Sequence, residues 1–229
     1  MPKTYFRAFT LLVKKDITIM ARRWQELAAL AILSIGTSIP VAYLISGPQA
    51  LLFETADAFT VIATGQLLEM FIIGILAGFI AVVREAEKHT LDGLRLSAIP
   101  SEVVFVAKLV FIEILMLVLS MIYIIVTAAL SNTWQIVNIN YIVTVVASTV
   151  YFSAASALTA FIIIYVESRG LFAAVVLAGF IIPFMQQSGP YLVEAGMGLY
   201  TVTGVIGIVG SGVFFSILAT YLAKFLSEI

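Results

Sequence analysis

Runs of about twenty apolar residues recur along this chain, separated only by short polar stretches, and a run of that length leaves few folds open. At about 1.5 Å per helical residue, some twenty residues cross a hydrocarbon layer of about 30 Å. The rest of the composition agrees: 62% of the residues are hydrophobic and 11% are charged, too few polar groups to coat a soluble globule of 229 residues. Six such runs are read as spans, at 27–45, 59–83, 103–130, 139–166, 171–185 and 197–225. The expected fold is all-α and integral to a membrane, one permease-like domain over residues 1–229, with no internal repeat or linker to divide it. The run that begins at Leu27 is too long for the core of a signal peptide and lacks a small-x-small cleavage site, so it is expected to be a retained first span. A net charge of -1 speaks against nucleic acid as a partner, and the lack of cysteine excludes disulfides and thiolate metal sites.

Residues 3–26 precede the first span, and Phe6, Phe9, Val13, Ile17, Met20 and Trp24 recur there at spacings of three and four. Lys3, Arg7, Lys14 and Arg22 fall mainly on the opposite side. This is the pattern of an amphipathic helix lying in the headgroup layer, although a helix packed on a partner protein would show the same stripe. The bases are distributed just as unevenly. Lys3, Arg7, Lys14, Lys15, Arg22 and Arg23 precede span one, Arg84, Lys88, Arg95 and Lys108 lie in or beside the connection between spans two and three, Arg169 sits in a tight loop and Lys224 at the C-terminus. With six spans all of them share one face, whereas the loops of the other face hold Glu54, Asp57 and Glu194. The positive-inside rule then puts both termini in the cytoplasm.

Glu69 and Glu113 stand near the middle of spans two and three, and Gln66 shares a helix face with Glu69. Carboxyl groups at that depth are expensive unless neutral or hydrogen-bonded, so these three are a candidate intramembrane polar site; the alternative is structural glue between helices. Gly74 and Gly78, and Gly204, Gly207 and Gly210, are read as close-packing positions. Pro40 and Pro183 interrupt spans one and five, and Gly189, Pro190 and Glu194 are expected in a loop after span five. His89 stands alone, without companions for a metal. No catalytic constellation and no G-x-x-x-x-G-K-[ST] motif occurs, so the chain is expected to be no enzyme, and energy from nucleotide would have to come through another subunit.

Between spans two and three, residues 85–98 can form a short amphipathic helix. Leu91, Leu94 and Ala98 turn one way and Glu85, Lys88 and Asp92 another, with Pro100 as a breaker and Ser101 and Glu102 as caps for span three. Three stretches carry a resemblance to a known family: VKKDITIMARRWQEL before span one, REAEKHTLDGLRLSAIPSEVVFVAK between spans two and three, and ESRGLFAAVVLAGFIIPFMQQSG across the tight loop and span five. Together they resemble the membrane permeases of ABC exporters, and among these the haem exporter B family of cytochrome c maturation.

The resemblance implies six spans, an N-terminal interfacial helix and a cytoplasmic coupling helix, in a prokaryotic inner membrane. It implies a separate ATP-binding subunit docked on Arg84, Glu85, Glu87, Lys88, Thr90, Leu91, Asp92 and Leu94 and on Glu167 and Arg169. A second copy of the chain, other membrane subunits of cytochrome c maturation and membrane lipids are the further partners. No cofactor is expected on this chain, with ATP and Mg held by the partner ATPase and contact with haem left open. Two other readings stay open: an ABC permease for a lipid, drug or glycan, and a stand-alone proton-linked carrier using Glu69 and Glu113.

Overall fold

The computed structural model describes residues 2–47, 55–87, 99–164, 169–199 and 202–227, and no strand occurs among them. In chain order the helices are α1 (Pro2–Arg22), α2 (Trp24–Ser46), α3 (Thr55–Gly78), α4 (Arg84–Glu87), α5 (Ser101–Ser131), α6 (Ile139–Ile163), α7 (Arg169–Gly196) and α8 (Val202–Ser227). A π-helical turn at Phe79–Val83 joins α3 to α4. Five stretches are long and apolar enough to cross a membrane: Trp24–Ser46, Ala58–Ala86, Ser101–Ser131, Ile139–Ile163 and Val202–Lys224.

The bundle is built around α6, which packs against α3, α5, α7 and α8. Its sequence explains that position. Ala147, Ser148, Ser153, Ala154, Ala155, Ser156 and Ala157 are all buried and small, so neighbouring backbones come close where dispersion contacts are dense. Gly74 and Gly78 of α3 meet Ser156 there, and a Cβ added at Gly78 would stand 2.9 Å from the Ser156 carbonyl oxygen. In α8 the expected glycine repeat divides: Gly204 lies under the Tyr191 ring, but Gly207 and Gly210 face open space. The glycine that seats α8 on α6 is Gly212, whose added Cβ would be 3.3 Å from the Tyr151 backbone nitrogen. Aromatic rings fill the space beside it, with Tyr151 stacked on Phe184 at a centroid separation of 3.9 Å.

Other expectations need correcting. The loop predicted around Gly189 and Pro190 is helical, since α7 continues through both Pro183 and Pro190 to Gly196. Turn-forming residues are weak signals inside apolar helices, where neighbouring groups satisfy the freed backbone. The N-cap position of span three is taken by Pro100 rather than Ser101, and Glu102 in the first turn pairs with Lys224 at 3.0 Å. The turn between α5 and α6 follows its sequence closely. Asn132 ends α5 in the left-handed region at φ 56°, and the Asn138 side chain caps α6 by accepting from the Tyr141 N–H at 2.9 Å.

α1 lies along α5 rather than apart from the bundle. Only part of the predicted stripe is buried: Phe9 and Val13, with Leu12 beside them, pack with Ile99, Val104 and Ala107, and Met20 joins the main core. Phe6, Ile17 and Trp24 of the same stripe stay exposed. The packed edge also contains Asp16, a buried acid that apolar periodicity does not register.

The close seat of α3 on α6 gives a direct test. Gly78→Val should lower the unfolding free energy in detergent by about 1–3 kcal/mol, because the added atoms meet backbone that cannot move aside. Gly207→Ala should leave it within about 0.5 kcal/mol, as read by thermal unfolding of the two variants beside the parent.

Candidate functional site

Charged residues from α1, α2, α4 and α5 meet at one end of the bundle. Lys108 is their centre. Its place in the apolar run VVFVAKLVFI commits it to burial once α5 packs, and a buried ammonium must be paired. Its Nζ donates to Asp16 Oδ2 at 2.8 Å. Glu85 Oε2 stands 2.6 Å away and completes a second ion pair. Lys15 closes the group by donating to Glu85 Oε1 at 2.8 Å, with Asp16 Oδ1 at 3.6 Å. Two lysines thus face two carboxylates.

Local geometry explains how they meet. Asp16 follows Lys15 directly on α1, so their side chains diverge by roughly 100° around the helix; Asp16 turns onto α5 and Lys15 reaches across to Glu85. The π turn at Phe79–Val83 inserts one extra residue, which rotates everything after it by roughly 100° and re-aims Arg84 and Glu85. Beside this quartet, Arg84 donates to Glu26 Oε1, and Arg23 approaches the same oxygen at 3.8 Å. A cleft of about 260 Å³ opens between the two groups, walled by Ile80, Ala81 and Phe111 on one side and Ile19 and Met20 on the other.

The ionisation of α1 reflects this setting. Burial opposes the charge on Lys15, but the hydrogen bond and attraction of Glu85 outweigh it, and the Lys15 pKa lies above its ordinary value. Burial pushes the Asp16 carboxyl up, against the pull of Lys108. The raised Lys15 value means that its contribution to stability is complete below about pH 10.5, the ordinary lysine value, and is lost as pH rises through the folded value.

Glu69 lies in a second polar group deeper in the bundle, only 1% exposed. Ser34 Oγ of α2 is 2.9 Å from Glu69 Oε1, while Gln66 Nε2 and Ser120 Oγ of α5 lie 3.1 and 3.3 Å from Oε2. Ser34 Oγ is also 2.9 Å from the Leu119 carbonyl oxygen. One hydroxyl hydrogen cannot serve two acceptors. A proton on Glu69 Oε1 completes the set by donating to Ser34, whereas an ionised carboxylate leaves one of the two contacts without a hydrogen. Glu113 belongs to neither group: its Oε1 accepts from Thr149 Oγ1 of α6 at 2.8 Å.

Of the residues expected to dock an ATPase, Arg84 and Glu85 stand in the ionic junction. Lys88, Thr90, Leu91, Asp92, Leu94 and Glu167 lie outside the described residues, as do the side chains of Glu87 and Arg169 and nearly all of the expected coupling helix. The structure brings Gln66 and Glu69 together and keeps Glu113 apart. Sequence reasoning did not single out Lys15, Asp16, Glu26 or Lys108 as site residues. The available signal was Lys108 itself, a base several residues inside an apolar run, which calls for an acid from elsewhere.

Fold and site together define an all-helical protein of membrane character with a charged junction at one end of its bundle. Family models and curated proteins yield no match to the chain.

Lys108→Met should destabilise the protein by about 3–5 kcal/mol, since it removes the buried ammonium that stands between the Asp16 and Glu85 carboxylates. Asp16→Asn should cost less, because Lys108 keeps Glu85; chemical or thermal unfolding in detergent ranks the two. In a series of melting temperatures from pH 8 to pH 11.5, Lys15→Met should lack part of the alkaline loss seen in the parent.

Proposed function

We propose that this chain is the membrane-spanning subunit of an ATP-driven transporter of the haem exporter B kind, working as a pair with a separate ATPase. One observation carries the reading. Both helices that flank the connection between α4 and α5 are bound to other helices: Arg84 and Glu85 of α4 hold Glu26 of α2 and Lys15 of α1, and Lys108 of α5 holds Asp16 of α1. Glu102, at the start of α5, adds Lys224 of α8. A push on residues 88–98 would therefore be passed to α1, α2, α5 and α8 together, which is the mechanical requirement for a coupling segment.

The six-span topology is part of the proposal. α7 has 28 residues, about 42 Å of helix, long enough to cross despite its two prolines. Its far end touches the α5–α6 turn, where Asn138 Nδ2 donates to the Gly196 carbonyl at 3.4 Å. The charged junction and the Lys224 pair would then mark the cytoplasmic face of a prokaryotic inner membrane, with both termini on that side. α1, with Phe6, Ile17 and Trp24 exposed, would lie in the headgroup layer against α5. No covalent chemistry is assigned to the chain; ATP and Mg belong to the partner, and the cargo is haem or another amphiphile such as a lipid, drug or glycan.

The proton-linked carrier remains as a second reading because Glu69 gathers side chains from α2, α3 and α5. The two readings separate in one experiment. Replacing Thr90, Leu91 and Asp92 together should abolish co-purification with a P-loop ATPase and its stimulation by the membrane subunit. Glu69→Gln, which keeps the shape and can still donate to Ser34, should leave ATP-coupled activity within about two-fold. ATPase association untouched by the triple replacement, or transport that needs Glu69 and no ATPase, overturns the assignment.

A further inference from the structure

The ionic junction is balanced in one half and unbalanced in the other. Lys15 and Lys108 are matched by Asp16 and Glu85. Arg23 and Arg84 share the single carboxylate of Glu26, and Arg23 stands at 3.8 Å, beyond hydrogen-bond length. Among the described residues of the junction, four cations face three carboxylates, and the excess sits on the guanidinium pair. Both arginines line the cleft of about 260 Å³.

We propose that this cleft binds the phosphate group of an anionic phospholipid. Two guanidinium groups beside one cavity suit a phosphate in particular, because their fixed forks of N–H donors match its oxygens two at a time. The surplus of positive charge among the described residues suits an anionic lipid such as phosphatidylglycerol over a zwitterionic one, whose own cation would meet the arginines. The surroundings supply a place for acyl chains. Ile80 and Phe111 form an apolar wall to the cleft, and Ile19 and Leu27, four residues either side of Arg23, are exposed along with Trp24. A tryptophan with its ring exposed next to basic residues is the pattern of a side chain at headgroup depth. Free phosphate would use the same donors but not these apolar surfaces. The inference rests on the membrane character of the fold and is independent of the transport reading.

The test is native mass spectrometry of the full chain in detergent, titrated with phosphatidylglycerol and phosphatidylcholine. The parent should retain phosphatidylglycerol in preference to phosphatidylcholine. Arg23→Gln and Arg84→Gln should each weaken that retention about five-fold, and Lys14→Gln or Arg22→Gln, on exposed positions outside the cleft, by less than about two-fold. Glu26→Gln removes the competing carboxylate and should strengthen retention, an outcome that a purely structural role for the arginines does not produce. If Arg84→Gln fails to fold, Arg23→Gln and Glu26→Gln decide the matter. Millimolar inorganic phosphate, added alone as the second probe, should neither displace the lipid nor raise the melting temperature. Equal retention by parent and arginine variants overturns the proposal. So does displacement by phosphate alone, or loss of ATPase association in the arginine variants with lipid retention unchanged.

Discussion

The structure depends most on what happens to one ammonium group. Lys108 lies in an apolar helix face that must pack, and removing its charge from water costs several kcal/mol unless acids come to meet it. No acid on α5 answers it; Asp16 comes from α1 and Glu85 from just past the π turn. That requirement fixes α1 alongside α5 and fixes the rotation of the chain after Val83. Apolar packing alone would let α1 slide or roll along its neighbours, since dispersion contacts are not directional. The ion pairs set its register.

Deeper in the bundle a different rule applies. Glu69 and Glu113 meet hydroxyl and amide groups rather than charges, and the hydrogens available to Ser34 and Thr149 are outnumbered by the acceptors around them. Such groups hold helices together at defined heights while small residues bring the backbones close. The described ion pairs therefore stand at one end of the bundle, with neutral hydrogen bonding inside it. A force applied at the charged end would reach the interior through whole helices.

Much of the architecture was legible in the amino-acid order. Run length and hydropathy located α2, α3, α5, α6 and α8 to within a few residues, because covering a membrane-width helix with apolar side chains is a local property. Local rules also misled. Gly189 and Pro190 resemble a loop but lie inside α7, since their effect depends on what neighbouring helices offer the backbone. Gly207 and Gly210 resemble a packing ridge yet face outward, because spacing gives a helix face and not its direction.

The candidate site was the least legible part. Asp16 and Lys108 are separated by 92 residues and Lys15 and Glu85 by 70, so no window of sequence contains either pair. Sequence alone determined that the chain is helical, apolar over membrane-width stretches and basic at its N-terminus and around the connection after span two. Tertiary structure decided which acid neutralises which base, which edge of α1 is buried and where two arginines are left to share one carboxylate. The reason is physical: hydrophobicity is read residue by residue, whereas the pairing of a buried charge depends on which groups share the same low-dielectric space.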